Sequence, residues 1–324
     1  MKRPASSRRN DASARAAIIP HRLGLVSARL QYFLSVVQFG SIRRAAQVLN
    51  VAPSAISRTI QHLEHELGAP LFERARQRLK LTSAGEILVY HAGASAAELD
   101  RARAFIDDLQ GLRRGSVSIA VVESVARSLL PDVLTRFWAR HSAVTIKVTT
   151  TGSQEAFAAV ARGECDLAIA FDARLPKETQ RLASASLQLG AVVPPQHHLA
   201  GRRGVRLREF AADRVILSDA SLTLGSTIDA AMANSAVELN PIAVTNSIHL
   251  MTEIAARGRG VAFQTRVGVE GELARGDLVF IPLTDAMLRP RKLMLISRAK
   301  VHLPAGPAAL AAMLTEAIQG VDGR

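Results

Sequence analysis

The first strong pattern along the chain is a set of apolar residues at helical spacing close to the N-terminus. The positions that predict a first helix lie three or four residues apart: Leu30, Phe33, Leu34 and Val37. Gly40 follows as a stop, and Ser41 can cap a second helix. That second helix is expected to turn small and larger apolar residues toward a core: Ala45, Ala46, Val48 and Leu49.

A third helix is predicted to begin near Pro53, a position where no intrahelical acceptor exists for the missing N–H. Its apolar residues are expected to point inward: Ile56, Ile60, Leu63 and Leu67. Its polar residues are free to point outward: Ser54, Ser57, Arg58 and Gln61. The runs 71–74 and 79–81 then predict a small β-ribbon, with Arg76 and Arg78 near its tip.

Two short helices, a tight turn, a third helix and a basic ribbon form the pattern of a winged helix-turn-helix. Such units place a helix in the major groove of DNA, where small polar residues and arginine contact phosphates and base edges. Taken singly, an Arg-rich turn is more often a solvated surface. The main groove residues expected here are Ser54, Ser57 and Arg58. The full set of candidate DNA-binding residues is Ser41, Arg43, Arg44, Pro53, Ser54, Ser57, Arg58, Gln61, Arg76 and Arg78.

A long helix is predicted after the ribbon. Ser83 and Glu86 form a capping box, and Thr82 is an alternative cap. Small and apolar residues then keep a heptad spacing: Leu88, Ala92, Ser95, Leu99, Ala102, Ile106 and Leu109. This seam predicts pairing of two chains, with packing on its own domain as the alternative, and the helix is expected to end near Gly111.

From Ser116 onward, apolar strands alternate with amphipathic helices, which predicts two α/β lobes built on parallel sheets. The predicted strands are 117–121, 144–149, 167–170, 189–193, 214–218, 242–245, 261–264, 278–282 and 292–297. The predicted helices are 126–141, 154–162, 226–234, 248–257, a short one ending at 273, and 308–318. The last strand and helix are expected to return to the first lobe.

Ligands of open α/β sheets bind beyond the carboxyl ends of the strands. This rule selects as ligand-binding candidates Ser124, Gly152, Ser153, Phe171, Asn246, Ser247, Gln264 and Thr265. Helix capping is the alternative role for each of them. An anionic ligand is the default for such a site, but Glu123 and Asp172 lie near it and would repel an anion unless they are paired with arginine.

Composition favours a polyanionic partner. The net charge is +13 over 324 residues, and basic side chains that neutralise phosphates release condensed counterions. The single cysteine, Cys165, rules out an intramolecular disulfide and suits a reducing cytoplasm. No apolar run approaches the roughly 18 residues of a membrane span. Residues 1–28 are expected to be a flexible basic tail.

Motifs of catalysis are missing from the sequence, which has no GxxxxGK[ST], GxSxG or HExxH segment. His62 and His65 share a helix face without a third metal ligand nearby. His197 and His198 are expected in a solvated loop, and Cys165 is expected to be a half-buried structural thiol. We therefore expect no enzymatic activity, no metal and no cofactor.

The N-terminal pattern closely resembles the DNA-binding domain of LysR-type transcriptional regulators. The residues that carry the resemblance are Phe33, Val37, Gly40, Ser41, Ala45, Ala46, Leu49, Val51, Ser57, Ile60, Leu63, Glu64, Leu67, Gly68, Leu71, Phe72, Arg74, Leu81, Thr82 and Gly85. Segments 163–169, 193–200 and 255–262 extend it to about Ile318. The chain departs from the family at Ala52 and Pro53, where Ser or Thr followed by Gln is common.

The resemblance implies an α+β multidomain fold with a winged helix-turn-helix, a long linker helix and a two-lobed α/β effector domain like that of type 2 periplasmic binding proteins. The implied domains are a tail at 1–28, a DNA-binding domain at 29–82, a linker helix at 83–112 and an effector domain at 113–324. Lobe I covers about 115–188 and 290–324, and lobe II about 189–289.

The same resemblance implies a cytoplasmic, sequence-specific regulator that binds double-stranded DNA and a small-molecule effector. It also implies a homodimer formed through the linker helix, and it leaves a homotetramer open. The alternative function is a two-lobed solute-binding module whose basic head binds nucleic acid without sequence choice. Competition between a promoter fragment and a random duplex separates these two functions.

Overall fold

The computed structural model describes residues 26–73, 79–109, 115–235 and 237–321. The chain forms two compact units, with the division at Ile106 inside a long helix. Each unit has its own buried apolar core. The predictions for the tail up to residue 25, for Arg76 and Arg78, and for Gly111 fall outside the described residues.

The first unit begins with the three helices expected of a helix-turn-helix. They are α1 (Ala28–Phe39), α2 (Ile42–Leu49) and α3 (Pro53–Leu67). Gly40 ends α1 with φ at 63°, a conformation that glycine adopts without a Cβ clash. Ser41 caps α2, because its Oγ accepts a hydrogen bond from the Arg44 N–H at 3.4 Å. The helix boundaries predicted around this turn are confirmed.

The core of this unit lies where the three helices cross. The α3 residues that are buried as predicted are Ile56, Ile60 and Leu63. Phe33 of α1 meets Phe72 with the ring centroids 5.6 Å apart, which ties the first helix to the ribbon. Two inward predictions are wrong, since Val48 is 43% exposed and Leu67 is 52% exposed. Both residues lie in the last turn of their helix, where it has passed the core.

A two-stranded antiparallel ribbon follows α3, as predicted. Strand β1 (Phe72–Glu73) pairs with β2 (Lys80–Leu81), so that Phe72 lies opposite Leu81. Phe72 is buried in the core of the unit, whereas Glu73 on the other face is exposed. The ribbon is therefore anchored through one face only.

The long helix α4 (Ser83–Leu109) starts directly after the ribbon. Thr82 caps it, because its Oγ1 accepts a hydrogen bond from the Gly85 N–H at 3.1 Å. The alternative cap is thus confirmed, and the capping box of Ser83 with Glu86 is wrong. Thr82 is the cap because its hydroxyl is held in place by a hydrogen bond that it donates to the Pro70 carbonyl oxygen at 2.5 Å.

The first residues of the predicted heptad seam of α4 pack against the core of their own unit. Ala92 is buried and Leu88 partly buried in the core of the first unit, which is the packing alternative raised from the sequence. The neighbouring face of the helix carries apolar residues to solvent, with Ile87 62% and Tyr90 42% exposed. The free apolar face near the N-terminus of α4 is therefore shifted from the predicted seam.

The second unit contains two five-stranded sheets, each at the centre of one lobe. The strands of the first lobe are β3 (Ser116–Val121), β4 (Thr145–Thr150), β5 (Leu167–Phe171), β6 (Thr179–Leu187) and β12 (Arg291–Arg298). Its helices are α5 (Glu123–Arg127), α6 (Leu129–Arg140), α7 (Ser153–Arg162) and α11 (Ala305–Gln319). The strand order is β4-β3-β5-β12-β6, so the last strand returns to the first sheet.

The strands of the second lobe are β7 (Gly190–Val193), β8 (Arg214–Ser218), β9 (Asn240–Thr245), β10 (Val261–Gln264) and β11 (Val279–Pro282). Its helices are α8 (Thr223–Ser235), α9 (Ile248–Ala256) and α10 (Glu270–Arg275). The strand order is β11-β7-β10-β8-β9. None of the helices in the described ranges is long and apolar enough to cross a membrane.

Both sheets are mixed, which corrects the prediction of parallel sheets. Strand β3 runs parallel to β4 and β5, whereas β12 runs antiparallel to β5 and β6. In the second lobe β8 is parallel to β9 and β10, and β7 is antiparallel to β10 and β11. The antiparallel strands are those through which the chain leaves or re-enters a lobe, and such strands need no helical crossover.

One further prediction for this unit is wrong, and one strand was missed. The single helix expected at 126–141 is split at Ser128 into α5 and α6. Pro131 explains the split, because a continuous helix would need a Pro131 N–H and would press the ring against the Arg127 carbonyl. Strand β6 was not predicted, since its buried positions Ala183 and Ala185 are small residues that seldom mark a strand.

Candidate functional site

The outer face of α3 carries the residues that the sequence predicts to read DNA. Ser54, Arg58 and Gln61 are exposed, and Ser57 is half-buried beside them. Ala52, which precedes the helix, supplies no side-chain cap. Pro53 has no N–H, and the Ala55 N–H donates to the Ala52 carbonyl oxygen at 3.0 Å, so a phosphate at this helix start would depend mainly on side chains.

Helix α2 contributes to the same surface. Arg43 and Pro53 line one shallow depression together with Gln47 and Asn50. Gln47 and Asn50 were missed by the sequence reasoning, although polar residues beside the turn between α2 and α3 were a usable signal. Asn50 ends α2 in the left-handed conformation with φ at 54°, which a short polar side chain tolerates. Arg44 is exposed one residue along from Arg43.

Positive charge on this surface is left uncompensated. In the described part of the chain, no carboxylate pairs with Arg43, Arg44 or Arg58. An ion pair lies further along α3, where the Glu66 carboxylate accepts a hydrogen bond from the Arg29 guanidinium at 2.9 Å. The hydrogen bond from Arg29 lowers the pKa of Glu66. An exposed pair of this kind adds little stability, so the main electrostatic feature of the surface is its free arginines.

Glu64 links α3 to the ribbon. Its Oε1 accepts hydrogen bonds from the Leu71 N–H at 2.8 Å and from the Phe72 N–H at 3.3 Å. The carboxylate therefore fixes the start of β1 relative to the reading helix. Arg76 and Arg78, the predicted phosphate contacts, are outside the described residues.

The effector candidates lie at the carboxyl ends of strands in both lobes. In the first lobe, Phe171 ends β5, Gly152 and Ser153 precede and begin α7, and Ser124 follows β3. In the second lobe, Asn246 and Ser247 follow β9, Gln264 ends β10 and Thr265 follows it. Ser247 caps α9, since its Oγ accepts from the Leu250 N–H at 3.2 Å. Thr265 Oγ1 donates to the Val267 carbonyl oxygen at 3.2 Å.

The two lobes meet directly beside these candidates. Ser124 is 8% exposed and faces Gly268 of the second lobe. A Cβ on Gly268 would lie 2.8 Å from the Ser124 Cβ, so only glycine permits this approach. The cleft is therefore closed at Ser124.

A carboxylate of the first lobe binds the N-terminus of a helix in the second. Glu123 accepts three hydrogen bonds, from Ser247 Oγ at 3.0 Å, the Ile248 N–H at 2.8 Å and the His249 N–H at 2.9 Å. All three donors belong to the first turn of α9 or to its cap. The expected arginine partner is absent among the described contacts of Glu123, and backbone N–H groups compensate its charge instead.

Arg127 forms a second connection between the lobes. Its guanidinium donates to the Gly268 carbonyl oxygen at 2.8 Å and to Glu272 Oε1 at 2.9 Å. Ser128 Oγ accepts from the Gly268 N–H at 3.0 Å. Both backbone groups of Gly268 are thus held by the first lobe.

Arg291 forms a third connection at the start of β12. It is 5% exposed, pairs with Asp172 and donates from Nη2 to Thr223 Oγ1 at 2.5 Å. Its guanidinium lies 5.7 Å from the ring centroid of Phe171. Asp172 therefore has the arginine partner that the sequence analysis required. Arg127 and Arg291 were not predicted, because nothing local in sequence marks partners more than a hundred residues away.

Two buried polar atoms near the cleft lack a partner. Gln264 is 2% exposed, and its Nε2 donates to Thr252 Oγ1 at 3.1 Å. Neither its Oε1 nor the Oγ of Ser218 has a hydrogen-bond partner among the described residues. Buried polar atoms are usually satisfied, so these two are candidates to meet a ligand or a water.

The His197 side chain is only 11% exposed, which corrects the expectation of a solvated histidine there, whereas His198 is 62% exposed as expected. His197 lies 6.0 Å from Phe210 between ring centroids, and burial lowers its pKa. With Asp213 and His198 it forms a possible three-ligand metal cluster. However, His197 Nδ1 accepts from the Leu199 N–H at 3.2 Å, so its Nε2 carries the proton and faces Asp213 Oδ1 at 3.4 Å. This arrangement favours a structural contact over a metal site.

Two family models match the chain and together cover most of it. Residues 27–86 match the bacterial regulatory helix-turn-helix protein of the lysR family, and residues 110–319 match the LysR substrate binding domain. The chain belongs to the LysR family of transcriptional regulators. The resemblance found in the sequence is confirmed, and regulation of transcription is not an enzymatic activity.

Relatives and solved structures agree with this family. A probable RuBisCO transcriptional regulator of Synechocystis sp. is 26% identical over 268 residues, which is 81% of this chain and 77% of that protein. A full-length OxyR variant from Pseudomonas aeruginosa has a TM-score of 0.65 at 18% identity and covers 92% of this chain and 95% of its own. CbnR, a LysR family regulator, has a TM-score of 0.61 at 18% identity, with 90% and 97% covered. The winged helix-turn-helix followed by a two-lobed α/β domain is the fold of this family.

Proposed function

We propose that this LysR-type regulator places α3 of each protomer in the major groove of a promoter and that a small molecule in the lobe cleft controls the bound assembly. The observation that carries the proposal is the face where Arg58, Ser54 and Gln61 of α3 adjoin Arg43 of α2. Exposed arginine and short polar side chains at a helix N-terminus are suited to phosphates and base edges.

Each candidate has a stated role in this complex. The residues proposed to enter the groove are Pro53, Ser54, Ser57, Arg58 and Gln61. The residues proposed to contact flanking phosphates are Ser41, Arg43, Arg44, Arg76 and Arg78. Within the first group, Gln61 has the amide that can pair with adenine, and Arg58 has the fork that can pair with guanine.

The protein is proposed to act as a homodimer paired through α4, with a tetramer as a further assembly. The exposed residues Ile87 and Tyr90 support an apolar contact face at the start of this helix, and Phe105 and Ile106, 36% and 51% exposed, support one near its end. Twofold pairing would present two reading helices to half-sites about one helical turn, or roughly 34 Å, apart.

The effector is proposed to bind where the strand ends of both lobes converge. The residues proposed to face it are Ser124, Gly152, Ser153, Phe171, Asn246, Ser247, Gln264 and Thr265. We assign the DNA-binding domain to 29–82, the linker helix to 83–112 and the effector domain to 113–324. The cytoplasm is the proposed location, since the promoter is there, and neither a cofactor nor catalysis forms part of the proposal.

Fluorescence anisotropy with the duplex upstream of the protein's own coding region tests the reading surface. Arg58→Ala should weaken binding by about 1–3 kcal/mol and relax sequence preference. Arg43→Ala should weaken binding to all duplexes and reduce the slope of log affinity against log salt by about one. Arg257→Ala removes the same charge from an exposed pair of the second unit and should change neither property. Unchanged affinity in both head variants would show that the surface is misassigned.

The alternative, a nonspecific nucleic-acid head on a solute-binding module, makes a different prediction. A regulator keeps a clear preference for its promoter fragment over a random duplex at moderate salt, commonly about a thousandfold or more. A scaffold that contacts only phosphates binds both duplexes alike. Competition between the two duplexes decides between the proposals.

A further inference from the structure

The first-turn donors of α9 are already occupied by an anion, and that anion belongs to the protein. Glu123 comes from the first lobe and takes hydrogen bonds from Ser247, Ile248 and His249 of the second, at 2.8–3.0 Å. A ligand carboxylate or phosphate binding at this helix would need the same three donors. Glu123 therefore stands where the acidic group of a ligand would bind.

A free anion competes poorly for these donors. Glu123 is tethered to the chain, so its effective concentration at α9 is of the order of millimolar or higher. A second negative charge within about 5 Å would also be repelled by it. Displacing Glu123 would break three charge-assisted hydrogen bonds before any new one forms. The helix terminus is consequently closed to acidic ligands while this carboxylate is present.

The free polar atoms close to α9 are one amide oxygen and one hydroxyl. The Oε1 of Gln264 has no partner among the described residues, although the side chain is 2% exposed. Its Nε2 donates to Thr252 on α9, and Thr252 Oγ1 donates to the Ile248 carbonyl oxygen, one turn from the Glu123 contact. The parallel pairing of Ala262 with Ile216 sets Ser218, whose Oγ is also unpartnered, level with Gln264. Gln264 Oε1 can only accept and needs an N–H or O–H donor, whereas the Ser218 hydroxyl can either donate or accept.

We propose that Glu123 determines the class of effector, so that this cleft takes an uncharged or cationic small molecule with a hydrogen-bond donor for Gln264 and rejects carboxylates and phosphates. The inference rests on the proposed effector function of the cleft. It reverses the anionic default of the sequence analysis for a reason visible in the contacts: the anion position is filled from within the chain.

Thermal unfolding of the full chain with acetate tests the inference. Glu123→Ala removes the carboxylate and leaves its three donors facing a space of matching size, so acetate should restore stability by a saturable rise of a few degrees. Wild type should show no rise beyond that given by chloride at equal ionic strength. Asp132→Ala, which removes an exposed first-turn carboxylate of α6, should likewise show none.

Thermal unfolding of the wild-type protein with three small molecules of similar shape gives a second test. Benzoate, benzamide and benzamidine differ mainly in charge and donor count, and the proposal expects stabilisation by benzamide or benzamidine and none by benzoate. Stabilisation by benzoate alone would overturn it. So would an acetate response that is equal in wild type and Glu123→Ala, or missing from both. If circular dichroism shows Glu123→Ala unfolded, Glu123→Ser decides, since it also vacates the carboxylate position and should gain the acetate response that wild type lacks.

Failure of this inference is distinguishable from failure of the proposed function. Duplex competition on the same protein samples reports promoter preference independently of any effector. Promoter preference together with a carboxylate-stabilised wild type would refute the role of Glu123 and leave the regulator intact. Loss of all promoter preference would refute the function whatever acetate does.

Discussion

Glu64 connects the reading helix to the ribbon, and removing its carboxylate tests whether that connection fixes the ribbon. Oε1 of Glu64 accepts from the Leu71 N–H at 2.8 Å and the Phe72 N–H at 3.3 Å. Leu71 is fully buried, and β1 begins at Phe72. Glu64→Ala leaves both N–H groups without this acceptor, while the backbone bonds of α3 are unaffected.

The cost follows from the two contacts. A buried donor that loses its partner costs about 1–3 kcal/mol, and a hydrogen bond to a charged group contributes about 1.5–3 kcal/mol. One bond is short and one is long, and Glu64 is half-buried, so water replaces part of the loss. We expect Glu64→Ala to cost about 2 kcal/mol and Glu64→Gln, which keeps an uncharged acceptor, about 1 kcal/mol.

Hydrogen exchange of the full chain, read on the peptide that contains Leu71 and Phe72, measures this cost locally. A loss of about 2 kcal/mol should speed amide exchange there about 30-fold, and Glu64→Gln should lie between that variant and wild type. Glu66→Ala, two residues along the same helix, removes an exposed carboxylate and serves as the control. If Glu64→Ala exchanges no faster than Glu66→Ala, the ribbon is held by packing alone and the reasoning fails.

Two further predictions concern the second unit. Burial lowers the pKa of His197 below 6.5, so the stability that neutral His197 contributes is complete above about pH 6.5 and is lost as the pH falls through the lowered pKa. Urea denaturation between about pH 5 and 8 should therefore show a shallower pH dependence of the unfolding free energy for His197→Gln than for wild type. The exposed His198→Gln should keep the pH dependence of wild type. Gly225→Ala places a Cβ 2.1 Å from the Asp219 carbonyl oxygen and should destabilise by about 1–3 kcal/mol or more in the same assay, whereas Gly201→Ala, with nothing within 4 Å, should not.

Local signals predicted the first unit well and failed where burial depends on neighbours. Gly40, Ser41 and Pro53 each act through their own backbone or first-turn contacts, so the helix boundaries could be read directly. Val48 and Leu67 fit the apolar period equally well, yet no partner covers them. The spacing of apolar residues identifies which face of a helix is buried. How many residues of that face are buried depends on how far the opposing core extends along the helix.

In the second unit, the sequence placed the candidates correctly at the carboxyl ends of strands but did not predict the contacts between the lobes. The rule of carboxyl strand ends selected positions such as Ser124 and Gln264 because it depends only on strand order. Arg127 and Arg291 join partners 145 and 119 residues away, a pairing that the fold creates and sequence spacing does not encode. Strand β6 was missed for another reason. Its alanine and serine residues bury little apolar area, so the alternation of apolar and polar positions that marks a strand is weak.

The three connections between the lobes bear on the direction of the switch. The Arg127–Glu272 ion pair specifies one arrangement more than it stabilises it, because desolvation offsets most of the attraction between buried charges. The Arg291–Asp172 pair lies within the first lobe, and Arg291 reaches the second lobe through its hydrogen bond to Thr223. An effector shifts the equilibrium between two lobe arrangements only by the difference in its binding free energy for them. A change in their population ratio from 1:99 to 99:1 requires a difference of about 5.5 kcal/mol. A ligand that donates to Gln264 leaves the Glu123 bonds between the lobes in place. An acidic ligand at α9 must first break them, so the two classes of ligand are expected to act on the closed arrangement in opposite directions.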